Sequence, residues 1–232
     1  GQEISGTVAV DSVDLRFNAD PTDITLSNNA MNENMPTGTV IGQFDSIDVD
    51  ETAPRPGDSH TYAFVDDVLP NGNINFTISG DQLLTALPFD FETTQGYSVT
   101  VRSTDSYGGM YTETLTLVIS DVNEAPTDIL VTGLTVNENV AAPTTITTLD
   151  ATDEDEIDPG APTDISETHS YLLPTGELDN ANFQISGTTL EAAGTFNYEA
   201  KSSYNVMIRT TDSGGLMYTK TVTILVVNVN DA

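Results

Sequence analysis

The chain has 232 residues, with 36 Asp and Glu against six Lys and Arg, for a net charge of −30. So acidic a surface excludes binding to nucleic acid or to anionic membranes, because almost nothing in it could neutralise such a partner. Cysteine is absent, which removes disulfides and thiolate metal sites, and the length fits two domains of about 100 residues each.

In chain order, Gly6 to Asn18 reads as the last strand of a preceding unit, carrying Val8, Val10, Val13 and Leu15. Pro21-Thr22-Asp23-Ile24, Asn32-Glu33-Asn34 and Asp48-Val49-Asp50 follow. Tyr97, Val99 and Val101 then alternate with Ser98, Thr100 and Arg102, and Leu115, Leu117 and Ile119 with Thr114, Thr116 and Val118. Such period-2 runs of Thr, Val, Ile and Tyr predict half-buried strands, with Gly108-Gly109 as the hairpin turn between them. The connector Ser120-Asp121-Val122-Asn123-Glu124-Ala125-Pro126 holds no Gly and no Ser run. Pro126 fixes its own φ and biases Ala125 towards extended backbone. A short, stiff, acidic connector is expected to bring the end of one domain close to the start of the next.

The second half repeats the first. Pro126-Thr127-Asp128-Ile129, Asn137-Glu138-Asn139, Asp153-Glu154-Asp155 and Thr211-Asp212-Ser213 return in order, the last matching Thr104-Asp105-Ser106. Tyr204, Val206 and Ile208, then Gly214-Gly215, then Val222, Ile224 and Val226 repeat the hairpin. Self-similarity at a fixed period marks an array of like domains. The expected organisation is all-β: a preceding tail or arm over 1–18, and two sandwiches of about seven strands each over 19–122 and 123–232. No segment reaches the length of a membrane-spanning helix, and no signal peptide is recognisable. The chain therefore reads as a mature piece of something longer.

The repeat gathers carboxylates around the connector: Glu33, Asp90 and Glu92 from the first unit, Asp121, Asn123 and Glu124 from the connector, and Asp153, Asp155 and Asp212 from the second. If extended, Asp90 and Glu92 share one face, as do Asp153 and Asp155. An oxygen-only set selects calcium or magnesium over zinc or copper, and calcium tolerates irregular geometry from 6–8 oxygens. Two unit charges about 5 Å apart repel by roughly 3 kcal/mol at an effective dielectric near 20. Eight carboxylates therefore favour bound cations. Turn chemistry explains any one Asp or Asn, but not the repetition of the whole set.

These residues resemble the cadherin repeat, in its bacterial cadherin-like form. Asn32-Glu33-Asn34 is similar to the family's Glu motif, Asp90-Phe91-Glu92 to its Asp-Arg-Glu motif, and Asp121-Val122-Asn123-Glu124-Ala125-Pro126 to its linker. Thr152-Asp153-Glu154-Asp155 is similar to its Asp-x-Asp motif, and Thr211-Asp212 to its late Asp. The resemblance implies Greek-key sandwiches in an extended rod, with about three calcium ions between consecutive repeats. Glu33, Asp90, Glu92 and Glu124 would hold the two ions nearer the first unit, with Asp121 and Asp155 completing and bridging them. Asp153, Asp155, Asp212 and Asn123 would hold the third. Backbone carbonyls of the linker, at Val122 among others, and one from the loop before Tyr171 would add to the set.

Departures are visible too. Asn197 and Asn228 replace the acids found at Asp90 and Asp121, and Arg16 and Ala19 stand where Asp121 and Glu124 would stand. A site below the second unit is therefore expected to be weak, and Asp48, Asp50 and Asp105 form a half-site above the first. Glu156 and Asp158 are extra acids that could add a ligand.

The expected role is adhesion or spacing in a secreted or cell-surface protein, with calcium, neighbouring repeats and cell-surface proteins, homophilic or heterophilic, as partners. Enzymatic activity is not expected: the acid pairs adjoin a connector, His60 and His169 recur as structural residues, and no nucleophile motif is present. The alternative is a calcium-dependent carbohydrate-binding module acting on polysaccharide, with Tyr107 and Tyr111 as exposed platforms. Asn75-Phe76-Thr77 fits a glycosylation sequon.

Overall fold

The computed structural model describes residues 18–49, 58–65, 72–156 and 168–230, so the strand expected within 6–18 and the acids Asp50 and Asp158 lie outside the described residues. The chain divides into two compact units, residues 1–120 and 121–232.

Unit 1 holds β1 (Asp23–Leu26), β2 (Ala30–Asn32), β3 (Val40–Ile47), β4 (His60–Phe64), β5 (Phe76–Ser79), β6 (Gln82–Thr85), β7 (Gly96–Asp105) and β8 (Met110–Ser120). One sheet runs β1-β3-β6-β5, the other β2-β8-β7-β4. The first stretch of the repeat is split between them: β1 pairs antiparallel with β3, and β2 pairs parallel with β8. Asn28 makes this switch of sheets, its side-chain amide donating to the carbonyls of Ala30 at 2.7 Å and Ile41 at 2.9 Å. Among the described residues, this split gives the first stretch two strands, one in each sheet.

Unit 2 repeats the plan with β9 (Asp128–Leu130), β10 (Thr135–Asn137), β11 (Thr144–Thr148), β12 (Asp150–Thr152), β13 (Ser170–Leu172), β14 (Phe183–Ser186), β15 (Thr189–Ala192), β16 (Ser203–Thr211) and β17 (Met217–Val227). One sheet runs β10-β17-β16-β13. The other is interrupted at Leu149, leaving β11-β15-β14 and the pair β12-β9. Leu149 donates its N–H to the carbonyl of Thr188 instead, at 2.7 Å, and its side chain is buried.

Each unit closes its two sheets over its own core. Leu83, Val99, Val101 and Leu117 have no exposure in unit 1, and neither do Leu190, Val206, Ile208 and Ile224 in unit 2. Full burial of such a side chain stabilises by about 1.5–3 kcal/mol before entropy is counted. Thr100 departs from the alternation. It lies buried between Val99 and Val101 because Asn73 Oδ1 accepts its N–H at 3.1 Å and the Thr114 hydroxyl lies 3.0 Å from its own. The glycine turns stand where the pattern put them, with Gly108 at φ 97° and Gly215 at φ 94°, a conformation that disfavours any side chain.

An aromatic cluster fixes the loop after β6. Phe89 stacks on Phe76 at 5.2 Å and meets Tyr97 at 5.2 Å. In unit 2, Phe196 meets Phe183 at 5.5 Å and Tyr204 at 4.9 Å. Phe89 accepts the N–H of Asn34 and Phe196 that of Asn139. Asn34 and Asn139 have φ of 57° and 61°. Asparagine tolerates this left-handed conformation, so the repeated Asn-Glu-Asn word has a backbone reason as well as a charge.

Candidate metal centres

The trailing end of unit 1, where β8 finishes, gathers Glu33, Asp90 and Glu92, with one oxygen from each within 4.8 Å of the others. Glu33 follows directly on β2 and is only 3% exposed. Its Oε2 accepts the N–H of Phe91 at 2.7 Å, which ties it to the loop that Phe89 anchors. Asp90 accepts the N–H of Thr93 at 2.6 Å and the Thr93 hydroxyl at 2.9 Å. Asp90 and Glu92 do not lie in a strand, as the alternation argument supposed; they stand in an irregular turn before β7. Phe89 enters the core and forces the chain to bend there. The convergence comes from that turn, not from strand periodicity.

The leading end of unit 2 gathers the connector acids and the acids after β12. Asp153 and Asp155 are not extended either, because the chain turns at 154–156. Asp155 Oδ2 accepts the N–H of Glu124 at 2.8 Å, and one Asp155 oxygen lies within 4.8 Å of one from Asp121. Burial pushes the Asp155 carboxyl above its ordinary value; the Glu124 N–H works against this, and the charges of Asp153 and Asp121 add to the rise. Asp212 Oδ1 accepts the N–H of Leu216 at 2.8 Å, and its Oδ2 accepts from the Asn123 side-chain amide at 3.1 Å. Asp153 is 4% exposed; its Oδ1 is sealed from water and takes no hydrogen bond among the described residues. A buried carboxylate oxygen without a donor is costly, and a hard cation removes that cost. The donor set therefore fits calcium. Val122 contributes no side chain to this group; its side chain is 38% exposed, and only its backbone could serve.

The repeated histidines belong to these ends. His169 Nε2 lies 2.8 Å from Asp153 Oδ2, and its Nδ1 lies 3.5 Å from Glu156 Oε1. His60 Nε2 lies 3.4 Å from Asp48 Oδ2. Each ring is nearly sealed and orients the first Asp of its Asp-x-Asp motif. The sequence marks the histidines as structural but not this partner: each stands two residues before a Tyr, Tyr62 or Tyr171, while its separation from the Asp differs between the repeats, 12 residues in one and 16 in the other.

The trailing end of unit 2 differs. Glu138 is 3% exposed, like Glu33, but both its oxygens are used by backbone: Oε2 by Tyr198 N–H at 2.9 Å and Oε1 by Val229 N–H at 2.8 Å. These two N–H groups hold its carboxyl below the ordinary value, against a smaller opposing effect of burial. Asn228 donates to Glu199 at 3.0 Å, and Asn197 Oδ1 accepts the N–H of Ala200 at 2.8 Å. Among the described residues, no metal-binding group of three carboxylates forms at this end.

No family model matches the chain. Among curated proteins it is 32% identical over 212 residues to human Protocadherin Fat 4, covering 87% of this chain and 4% of that protein. It is 32% identical over 149 residues to mouse Protocadherin Fat 2, covering 62% of this chain and 3% of that protein. The chain thus spans only a small part of the length of the relatives it matches. Among solved structures, the Protocadherin GammaB4 extracellular domain superposes with a TM-score of 0.61 at 23% identity, covering 93% of this chain and 34% of that one. Human Protocadherin-24 EC1-2 superposes with a TM-score of 0.61 at 17% identity, covering 86% and 94%. Similarity along most of the sequence, together with the shared sandwich fold, places the chain in the cadherin-repeat family.

Proposed function

We propose that the chain is a calcium-rigidified pair of cadherin repeats, acting in adhesion or as a spacer in an extracellular or cell-surface protein. The observation that carries this reading is Asp153 Oδ1, buried without a donor among acids that repel one another, beside a connector whose backbone already engages Asp155. Glu33, Asp90, Glu92, Asp121, Glu124 and Asp155 would hold calcium with the Val122 backbone, and Asn123, Asp153, Asp155 and Asp212 a further ion. About three ions in all would offset most of the charge of eight carboxylates. Calcium supplies positive charge; the residues supply position. Phe89 pins the Asp90 loop, His169 orients Asp153, and Asn123 bridges the connector to Asp212. A cation that binds the ordered arrangement better than the loose one shifts the population towards order. No catalytic step is part of this reading, and neighbouring repeats and cell-surface proteins are the partners it implies.

Calorimetric calcium titration of the full chain, with melting and X-ray scattering in calcium and in chelator, tests the proposal. Calcium at 100 times its dissociation constant is expected to stabilise by about 2.7 kcal/mol per site, with a smaller radius of gyration than in chelator. Asp155→Ala should remove most of both effects. Identical melting and scattering profiles in the two conditions would overturn the clamp. The polysaccharide reading now stands on Tyr107, which is 60% exposed, whereas Tyr111 packs against the core of unit 1. Calcium-dependent retention on insoluble polysaccharide, abolished by Tyr107→Ala, would favour that reading.

A further inference from the structure

The chain carries a net charge of −30, yet one sheet of each unit turns a face without acids to the outside. Side chains alternate across a strand, so every second position of β2, β8, β7 and β4 points away from the core. β8 presents Thr112, Thr114, Thr116 and Val118 there. Among the outward positions of these four strands there is no Asp, Glu or Lys, and the one charge is Arg102. Unit 2 repeats the pattern. The outward positions of β10, β17, β16 and β13 hold no Asp, Glu or Lys, and the one charge is Arg209, at the same place in the repeat. Glu113 and Lys220 lie on inward positions, where they bond the backbone of Ile24 and Ile129.

Neither arginine meets a carboxylate among the described residues, in a chain with 36 Asp and Glu. Arg102 stands across from Ala63 and Thr112, and Arg209 across from Leu172 and Thr219. The other sheet of each unit holds the complement. Asp45 on β3 and Asp150 on β12 are exposed and occupy matching places in the repeat. Each commits Oδ1 to the N–H of the next residue at 3.1 Å, and neither meets a Lys, Arg or His among the described residues. Apolar side chains stand beside them: Ile47, two positions on from Asp45, is 54% exposed, and Leu130, paired with Asp150, is 48% exposed. Each unit thus bears a bare cation on one sheet and a bare anion on the other. The core between the sheets keeps the two apart, so they cannot satisfy one another within a unit.

Outward threonines alone need no partner, because strands favour them. The missing acids and the lone arginine do call for one. Depletion of Asp, Glu and Lys with retention of Arg and Met is the composition of an interface core, and Met110 and Met217 lie on these faces with exposures of 55% and 57%. A guanidinium pairs with a carboxylate through two parallel hydrogen bonds. Two acid-free faces packed together would set arginine against arginine, with no carboxylate to meet either. The contact must therefore join unlike faces.

We infer that the acid-free sheet face of each unit docks on the Asp45- or Asp150-bearing face of a unit in a second copy of this chain. Arg102 and Arg209 supply the cations and Asp45 and Asp150 the carboxylates. Chains of net charge −30 repel, but at 0.15 M ionic strength charges more than about 8 Å away are largely screened, so the approaching faces decide. A contact between unlike faces does not close on itself, and copies run on side by side. The inference deepens the adhesion reading, on which it rests for its setting, and it does not require the calcium centres.

The test is sedimentation velocity of the full chain at rising concentration, in about 0.15 M salt with calcium chloride. The wild-type sedimentation coefficient should climb with concentration without stopping at a dimer. Two surface variants reverse the charges: Arg102→Glu with Arg209→Glu, and Asp45→Lys with Asp150→Lys. Each variant alone sets like charges face to face, and its association constant should fall about tenfold or more. An equimolar mixture of the two variants should recover association, because every face then meets its complement. Net charge alone predicts otherwise, since the lysine variant is less acidic than the wild type and would associate more. A sedimentation coefficient independent of wild-type concentration up to millimolar protein would overturn the inference. So would a plateau at the dimer, wild-type association in either variant, or a mixture that stays monomeric. Polygalacturonate that binds a monomeric wild-type chain but not the arginine variant would give the face to an acidic sugar chain and overturn the second copy as its occupant. Failure of the calcium clamp leaves another mark: melting and scattering ignore chelator while the wild-type chain still self-associates.

Discussion

The trailing ends of the two units share a scaffold and differ in chemistry. In unit 1, Glu33 sits with Asp90 and Glu92, and three carboxylates crowd together. In unit 2, Glu138 occupies the matching buried place but spends both oxygens on backbone N–H groups, and Asn197 and Asn228 replace two acids. The aromatic cluster beneath is the same in both, with Phe89 and Phe196 each buried at 3% exposure. The core therefore fixes where the loop runs, and a few loop residues decide whether it demands a cation. On the proposed calcium reading, a cation-holding end becomes a structural end by exchanging Asp for Asn, without disturbing the packing below.

The largest effect that would test this comparison comes from the shared anchor. Phe89→Ala and Phe196→Ala should each cost about 3–5 kcal/mol in denaturant unfolding. Only Phe89→Ala should also weaken calcium binding by calorimetry, because only its loop carries acids of a proposed metal centre. Equal calcium affinities in the two variants would break the distinction.

A smaller effect separates the two glutamates. Glu138→Gln should lower the melting temperature by a few degrees equally in calcium and in chelator, since its charge serves Tyr198 and Val229. Glu33→Gln should lower it mainly in calcium. Smaller still, Asn197→Asp with Asn228→Asp should destabilise the chelated protein by under about 1 kcal/mol through like-charge repulsion. Added calcium should reverse the loss, and melting curves with and without chelator would check it.

The smallest effect lies away from both ends. The Lys201 ammonium donates to Asp179 at 2.5 Å and holds that carboxyl below its ordinary value of 3.8, burial opposing more weakly. A lowered carboxyl contributes stability that is present above the ordinary value and is lost as pH falls through the folded one. Lys201→Ala should therefore cost under about 1 kcal/mol at neutral pH, and the cost should vanish in acid melts below both values.

Much of this architecture is written in the sequence. Period-2 runs identified β7, β8, β16 and β17, because a sheet with one wet face must alternate. The glycine turns followed from their left-handed backbone. The acids of the connector and of both units could be collected from the repeat, because a repeated word maps to a repeated place. Strand periodicity, however, gave the wrong reason for the pairing of Asp90 with Glu92 and of Asp153 with Asp155. Both pairs stand in turns, where local backbone geometry decides direction and no periodic pattern is written.

The sequence by itself determined the all-β class, the duplication, the oxygen-only character of the clustered acids and the loss of acids at one end. Each follows from local composition or spacing. Only the tertiary structure decided that the first strand switches sheets at Asn28, that His169 orients Asp153, and that Arg102 and Asp45 turn outward on opposite sheets. Those facts depend on segments far apart in the chain being brought together, and on which oxygens are already satisfied once they meet. Burial and hydrogen-bond satisfaction are properties of the folded whole, so a carboxylate left bare on one side cannot be recognised until its other side is seen to be filled.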